Sequence, residues 1–422
     1  MLILINPGSL LGYLLPGTAG TLPLLNEITN KPSHSLSDVT NPISLGSPVS
    51  SSIGNGVGFY LSNLYRGAYT PYPTGDYGFF NSTRFLMTNA DDLIMISANQ
   101  IQPTPEKALA SPIEARVERA LAKVAVYDET GGSLSNNATV TNVQWACDII
   151  NLQTYLVRKP ANIAPSQGGG KENINVDRTH TYAIDPNYDN VDDAGQRFFR
   201  ITDDSFFHRT WIENNNNDND NRDYFEYVTE NTMAADKQYE DATTRVVIKC
   251  QYKPKFITLK DAPPVVIVKN TSDSYFVYKG LAFTYNDLET MYNNRNRIPT
   301  EDYPSMRHFE NEVMSHADFM TTFLNSSLTH SFTKYGLTYY HNGINYYSIP
   351  IRHFKNEDSP NLMGYGRYGV VRNNIYRIKI TDIMGPGSIE IPEPEGPDDK
   401  DNNIKATVVV KPWDYYQIHF EL

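Results

Sequence analysis

The chain has 422 residues, of which 40% are hydrophobic and 20% charged, and a formal net charge of −12. That length exceeds one ordinary hydrophobic core and predicts two domains. The acidity, with no basic stripe alternating with aromatics, excludes a nucleic-acid partner, and no run reaches the roughly 20 apolar residues a membrane-spanning helix needs.

The 29 Tyr and 18 Phe, set among 26 Gly and 26 Pro, favour strands joined by turns, because aromatic side chains fit pleated surfaces and Gly and Pro supply the reversals. The opening "MLILINPGS" reads as a short strand ended by Asn6-Pro7-Gly8. It has no basic segment and breaks after a few apolar residues, so it is no signal peptide. A domain that opens inside a strand predicts that the natural chain starts further upstream. Residues 18 to 58, rich in Ser, Gly, Pro and Asn, read as a long surface excursion, and residues 59 to 100 as short strands and turns. In Ser111 to Glu129 the apolar residues fit a helical stripe through Ile113, Val117, Leu121 and Val124, yet also a strand over the second half; the strand is preferred there. The turn "DETGGS" then predicts a boundary, with one domain over 1–132 and a second over 133–422.

From residue 133 strand signals recur, among them "ATVTNVQWACDII", "TRVVIKCQYKP" and "SYFVYKGLAFTY". Helical pieces are expected near Tyr285 to Asn294 and Arg307 to Leu328. "HNGIN", between two Tyr-rich runs, predicts a tight hairpin at Asn342-Gly343. The last strands are "RNNIYRIKITDI" and the terminal "KATVVVKPWDYYQIHFEL", joined by an acidic, Pro-rich loop. The fold class is all-β with a few appended helices.

Patterns that could carry chemistry fail on residue type. "SQGGGKEN" (Ser166 to Asn173) has Pro165 where a phosphate loop needs its first Gly, and Glu172 in place of Ser or Thr. "NNNNDNDNRD" (Asn214 to Asp223) is dense in oxygen ligands but has no Gly for a calcium-loop turn. His308 and His316 are eight apart in sequence rather than four, unlike a zinc-binding helix. No nucleophile elbow occurs, and the two cysteines, Cys147 and Cys250, could form one disulfide but read more simply as two buried, unpaired thiols. No catalytic residue, metal or cofactor is expected, and the chain is not read as an enzyme.

Taken together, several segments resemble the fimbrillins of Bacteroidales, the type V pilins. They are "YVTENTMAADKQYEDATTRVVIKCQYKP" (Tyr227 to Pro254), "NGINYYSIPIRHF" (Asn342 to Phe354), "YGVVRNNIYRIKI" (Tyr368 to Ile380) and "VVVKPWDYYQ", in the family's order. "ILINPGS", "FLMTNA" and "VERALAKVAV" in the first domain are similar as well. The resemblance implies two β-sandwich domains of transthyretin-like topology and a role as a fimbrial subunit. It implies export as a lipoprotein to an outer-membrane-associated fimbrium, where proteolysis removes a first strand and the emptied groove takes a strand from the next subunit. Partners would be other fimbrial subunits, copies of the chain and accessory pilins, with host or bacterial glycans or proteins as adhesion targets. The signal peptide and lipid-bearing cysteine of the family do not occur here.

The terminal segment can be weighed on its own physics. An added strand gains affinity from main-chain hydrogen bonds and specificity from alternate side chains. Pro412 lacks an N–H and splits the segment in two. Residues 405 to 411 are expected to complete the domain's own sheet. Residues 413 to 422 are expected to be the donor, through Trp413, Tyr416, Ile418, Phe420 and Leu422, although docking within the same chain remains open. Burying four large apolar side chains would yield on the order of 6–12 kcal/mol gross. An alternative reading is a tip adhesin on the same scaffold, with the Tyr-rich strands around "YYHNGINYY" stacking on sugar rings or, more simply, packing on each other.

Overall fold

The computed structural model describes residues 94–151, 182–188, 197–209, 225–260, 273–325, 327–353, 366–395, 403–413 and 416–420, with short pieces at 3, 42–44, 65–66, 84–85, 87–90, 153–155 and 158. Of the opening strand only Ile3 is described, and the glycine loop at 166–173 and the Asn-rich stretch at 214–223 lie outside these residues.

The principal strands, in chain order, begin with β1 (Met87–Asn89), β2 (Ile113–Arg119), β3 (Leu121–Asp128), β4 (Thr139–Asp148), β5 (His208–Arg209), β6 (Phe225–Thr229) and β7 (Arg245–Lys253). They continue with β8 (Tyr275–Tyr278), β9 (Leu281–Phe283), β10 (Phe332–Lys334), β11 (Leu337–Tyr340) and β12 (Ile344–Pro350). The last are β13 (Asn374–Ile383), β14 (Ile404–Pro412) and β15 (Tyr416–Phe420). The fold is all-β.

Two four-stranded sheets form a sandwich, one ordered β5-β4-β7-β12 and the other β6-β3-β13-β14. Their inner faces share one core, with Val140, Trp145, Val246 and Ile248 from the first and Val124, Val126, Ile378 and Ile380 from the second. β3 and β13 run parallel and are central in their sheet, which suits their near-continuous apolar runs. Cys147 faces Val246 across the ladder, while Cys250 lies four residues further along β7. That offset is roughly 13 Å at ~3.3 Å per residue, so the two buried thiols are free.

The stretch from Ser111 to Glu129 holds no helix. It is two strands, β2 and β3, with only Ala120 between them, and they belong to different sheets. β2 pairs with β1 on one side and β15 on the other. β3 pairs with β6 and β13. A helical stripe and a pair of inward-facing strands bury some of the same positions, which is why periodicity alone misleads here. The turn after β3 is formed as expected, with Gly131 and Gly132 at φ of 63° and 80°. It joins β3 to β4 across the sandwich, so β3 lies on the near side of residue 132 in sequence but in the sheet of the later strands.

Between β7 and β12 stands a smaller unit, a sheet ordered β9-β8-β11-β10 with a second core around Phe276, Leu288, Phe309 and Phe323. Its helix Tyr285–Asn293 starts where expected, capped by Thr284, whose hydroxyl accepts from the Asp287 N–H while the Asp287 carboxylate accepts from the Thr284 N–H. The second helical region is broken into short turns, Pro304–His308, Glu310–Met314 and Phe319–Phe323.

The expected hairpin at Asn342-Gly343 does not form. Both residues take the left-handed conformation that the pair favours, at φ of 53° and 66°. Yet the strands on either side part company: β11 pairs with β8 and β10, and β12 pairs with β7. The turn is the exit from the smaller unit into the sandwich. A Cβ on Gly343 would stand 3.0 Å from the Asp273 carbonyl oxygen, so the crossing is tight as well as left-handed.

Candidate subunit interface

The end of the chain divides as Pro412 predicts. β14 is an edge strand paired with β13 from Ile404↔Ile383 to Pro412↔Asn374, and a proline is tolerated at that edge terminus. Beyond it the chain leaves the sandwich. β15 lies antiparallel on β2, with Tyr416 opposite Val117, Ile418 opposite Ala115 and Phe420 opposite Ile113. These three β2 residues are buried. The C-terminal strand therefore occupies an edge built by the N-terminal part of its own chain. Leu422 lies outside the described residues.

Trp413, between the two strands, is held in place. Its N–H donates to the Asn373 carbonyl at 2.8 Å, and the Asn373 side-chain amide donates back to the Trp413 carbonyl at 2.8 Å. Asn373 takes a left-handed φ of 57°, a conformation asparagine tolerates better than most residues. Its own N–H donates to the Leu121 carbonyl, and its Oδ1 accepts from the backbone and guanidinium of Arg119, each at 3.3 Å. The Arg119 guanidinium lies 4.2 Å from the centre of the Trp413 ring. On another side the Tyr227 ring stacks on it at 6.0 Å and 10°. Four elements thus converge on Trp413 and its partner Asn373: the end of β2, the start of β3, β6 and the lead into β13.

Beneath this junction is a buried ionic layer. Glu118 and Arg158 approach to 2.9 Å, and Arg158 also donates to the Arg372 carbonyl at 3.2 Å. The Arg372 guanidinium donates to the Tyr155 carbonyl at 2.7 Å and to the Thr154 hydroxyl at 3.1 Å, and it faces Glu230 at 3.4 Å. Adjacent residues thus serve two structures, Arg372 the ionic layer and Asn373 the Trp413 junction. Glu230 in turn neighbours Asp185, which accepts from the backbone N–H of Thr232 and of Asn187 and from the Asn151 amide.

Burial pushes the Asp185 carboxyl from its ordinary 3.8 up to about 8, against the pull of the Thr232 and Asn187 N–H groups and with a further push from Glu230. A carboxyl raised in the folded state binds its proton more tightly there than in the unfolded chain. Its stabilising contribution is complete below about pH 4 and is lost as pH rises through about 8. Thermal melts between pH 5 and 8 should therefore decline with pH more steeply for the natural chain than for Asp185→Asn. Equal slopes would show that Asp185 is not the source.

Of the residues expected to form a donor strand, Tyr416, Ile418 and Phe420 have their backbone paired with β2 of the same chain, and Trp413 stands before that strand. Sequence reasoning missed Arg119, Tyr227 and Asn373, whose contacts bridge up to 254 residues of sequence; the only local signal is Asn-Asn before a strand. The Tyr-rich segment offers no sugar platform, since Tyr339, Tyr340, Tyr346 and Tyr347 are all buried and Tyr340 stacks on Tyr275 at 4.8 Å. Among the described residues no group of acidic, His or Cys side chains could hold a metal ion. No helix among them is long and apolar enough to cross a membrane.

Residues 338–418 match the family described as major fimbrial subunit protein type IV, fimbrillin, C-terminal. This segment, which runs from β11 to β15 and includes Asn373 and Trp413, is similar to the C-terminal part of that family. No curated protein matches it in sequence. Among solved structures it is similar to a candidate cell adhesion protein of Parabacteroides distasonis, at 12% identity over 90% of this chain and 77% of that one, with a TM-score of 0.34. A fimbrilin (fimA) of Porphyromonas gingivalis is similar at 12% identity over 79% of this chain and 82% of that one, with a TM-score of 0.27. A second candidate cell adhesion protein of Parabacteroides distasonis is similar at 14% identity over 70% of this chain, with a TM-score of 0.28, and there the chain spans about half the relative's length, 53%. Scores this low give no strand-by-strand correspondence.

Proposed function

We propose that the protein is a structural subunit of a bacterial cell-surface fimbrium, associated with the outer membrane and supporting adhesion, and that it polymerises by exchanging its last strand. The observation that carries this reading is the position of β15. It is not part of the sandwich that precedes it but an added edge strand on β2, reached across a separate junction. A strand joined by a ladder to a distant part of the chain can be replaced by the same strand of another copy without redesign of either partner. The partners are other copies of the chain and accessory pilins. On this reading the N-terminal, strand-accepting unit ends at Ala120, where the chain leaves the β2 sheet for the sandwich. A glycan-binding role finds no support in the Tyr-rich strands, whose rings are packed inside.

Removal of Tyr415–Leu422 tests the proposal. The shortened chain should melt cooperatively, because the sandwich and smaller unit keep their cores, yet form no fibres by electron microscopy where the full chain does. Fibres from the shortened chain would overturn strand exchange through this segment.

A further inference from the structure

We propose that the free edge of β14 is a docking site for an acidic, extended segment of a different protein, which adds a further strand to the sandwich sheet β6-β3-β13-β14. The site is separate from the β15–β2 pair and does not depend on strand exchange.

β14 is nine residues long, or about 30 Å at ~3.3 Å per residue, and is bonded to β13 along one side. Among the described residues no strand pairs with its other side. That side therefore offers a row of unpaired backbone N–H and C=O groups. The opposite sheet of the sandwich covers its edge at β12, where Tyr346 and Ser388 exchange backbone hydrogen bonds at 2.9 and 2.8 Å. β14 has no such cover among the described residues, and Lys405, Thr407 and Lys411 are exposed along it.

The side chains around this edge are basic, in a chain with 48 acidic residues against 36 Lys and Arg. Ala406, Val408 and Val410 stand opposite Ile380, Ile378 and Tyr376, which belong to the core. Lys405, Thr407, Val409 and Lys411 therefore share the outer face. Arg377 joins them there, opposite Val409. Its guanidinium lies 5.9 Å from the centre of the Tyr127 ring, and its Nε is buried without a hydrogen-bond partner. Among the described residues no acidic side chain pairs with Arg377 or Lys411. Lys405 is held loosely, 3.8 Å from Asp382, while Lys379 on the same face pairs with Glu129.

Lysine and proline at an edge also keep a sheet from pairing with its like, and they have that effect here. Were two copies to pair β14 antiparallel in full register, Lys405 of each would stand opposite Lys411 of the other. Like charges directly opposed destabilise a ladder, and a slip of one residue turns the incoming side chains to the wrong face. The same cations favour an acidic strand. Its residues opposite Lys405 and Lys411 should be Asp or Glu, and those opposite Ala406, Val408 and Val410 apolar, since they lie over the edge of the core. Charge thus selects the partner and rejects the copy. An anionic polysaccharide would meet the cations but would use neither the backbone edge nor the apolar row, so the edge favours a peptide.

The test uses the full chain and two labelled synthetic peptides that read the same in both directions, Glu-Val-Thr-Val-Thr-Val-Glu and its Lys-ended counterpart. The acidic peptide should bind by fluorescence anisotropy, more weakly as salt rises, and should slow hydrogen exchange of the β14 amides read by mass spectrometry. Lys405→Glu combined with Lys411→Glu, both at exposed positions, should leave the melting temperature unchanged. That variant should bind the acidic peptide at least about tenfold more weakly and prefer the Lys-ended one. No binding of the acidic peptide, equal binding of both peptides, or binding without protection of β14 would overturn the proposal. Heparin binding that needs the same lysines, with no β14 protection by the acidic peptide, would assign the cations to a glycan and overturn the peptide reading.

Discussion

A chain carrying Glu118→Ala is expected to lose about 3–5 kcal/mol of folding stability, measured by denaturant unfolding. Glu118 and Arg158 meet at 2.9 Å with side chains 0% and 3% exposed. Truncating the carboxylate removes the acidic partner that the buried Arg158 guanidinium meets at 2.9 Å. Its bond to the Arg372 carbonyl persists, but a carbonyl dipole does not neutralise a full charge. Against a typical total of about 5–15 kcal/mol, such a loss brings the fold near its limit. The comparison that isolates the cause is Glu301→Ala, which removes an equally well-formed pair with Lys260 at 3.2 Å on the open surface. Exposed pairs contribute about 0–1 kcal/mol. Replacing both buried partners, Glu118→Leu with Arg158→Met, should recover most of the loss, since neither charge is then stranded. If Glu118→Ala costs no more than Glu301→Ala, the buried layer does not hold β2 in place.

That layer also shows where the sequence was legible and where it was not. The run Arg245–Lys253 is apolar and β-branched enough to be read as a buried strand, and it proves to be central, between β4 and β12. Pro412 announced the break between β14 and β15, because a residue without an N–H cannot donate to a ladder and is confined to its edges and ends. Composition and turn residues report conformation, and conformation is local. Partners are not. The alternation in Ser111 to Glu129 states that residues are buried, but nothing in it states that β2 and β3 bury them in different sheets on either side of Ala120. Asn342-Gly343 fixes a left-handed turn and was right about the backbone, yet which strands flank a turn depends on edges offered by β8 and β7. Asn373 is the extreme case. Its side chain ties Trp413 to Arg119, which lies 254 residues before it in sequence, and no spacing in the sequence could signal that.

The largest functional effect is expected from fixing β15 to β2 covalently. His419 stands opposite Glu114 in the β15–β2 ladder, and Glu114 is exposed, so Glu114→Cys with His419→Cys leaves the buried face of β2 untouched. Directly opposed residues of an antiparallel pair have Cα atoms about 4.5–5.5 Å apart, within the range a disulfide spans. The natural thiols should not compete, because burial pushes both Cys147 and Cys250 up and away from the reactive thiolate. The oxidised double variant should fold, resist unfolding more than the natural chain, and remain monomeric at concentrations where the natural chain forms fibres. Reduction should restore assembly in the same sample, which separates a locked strand from a damaged fold. Removal of Tyr415–Leu422 takes the strand away, whereas the disulfide keeps it present and forbids only its release from β2. Fibres from the oxidised chain would mean that subunits join with β15 still on its own β2, and the interface would then have to lie on a surface other than this edge.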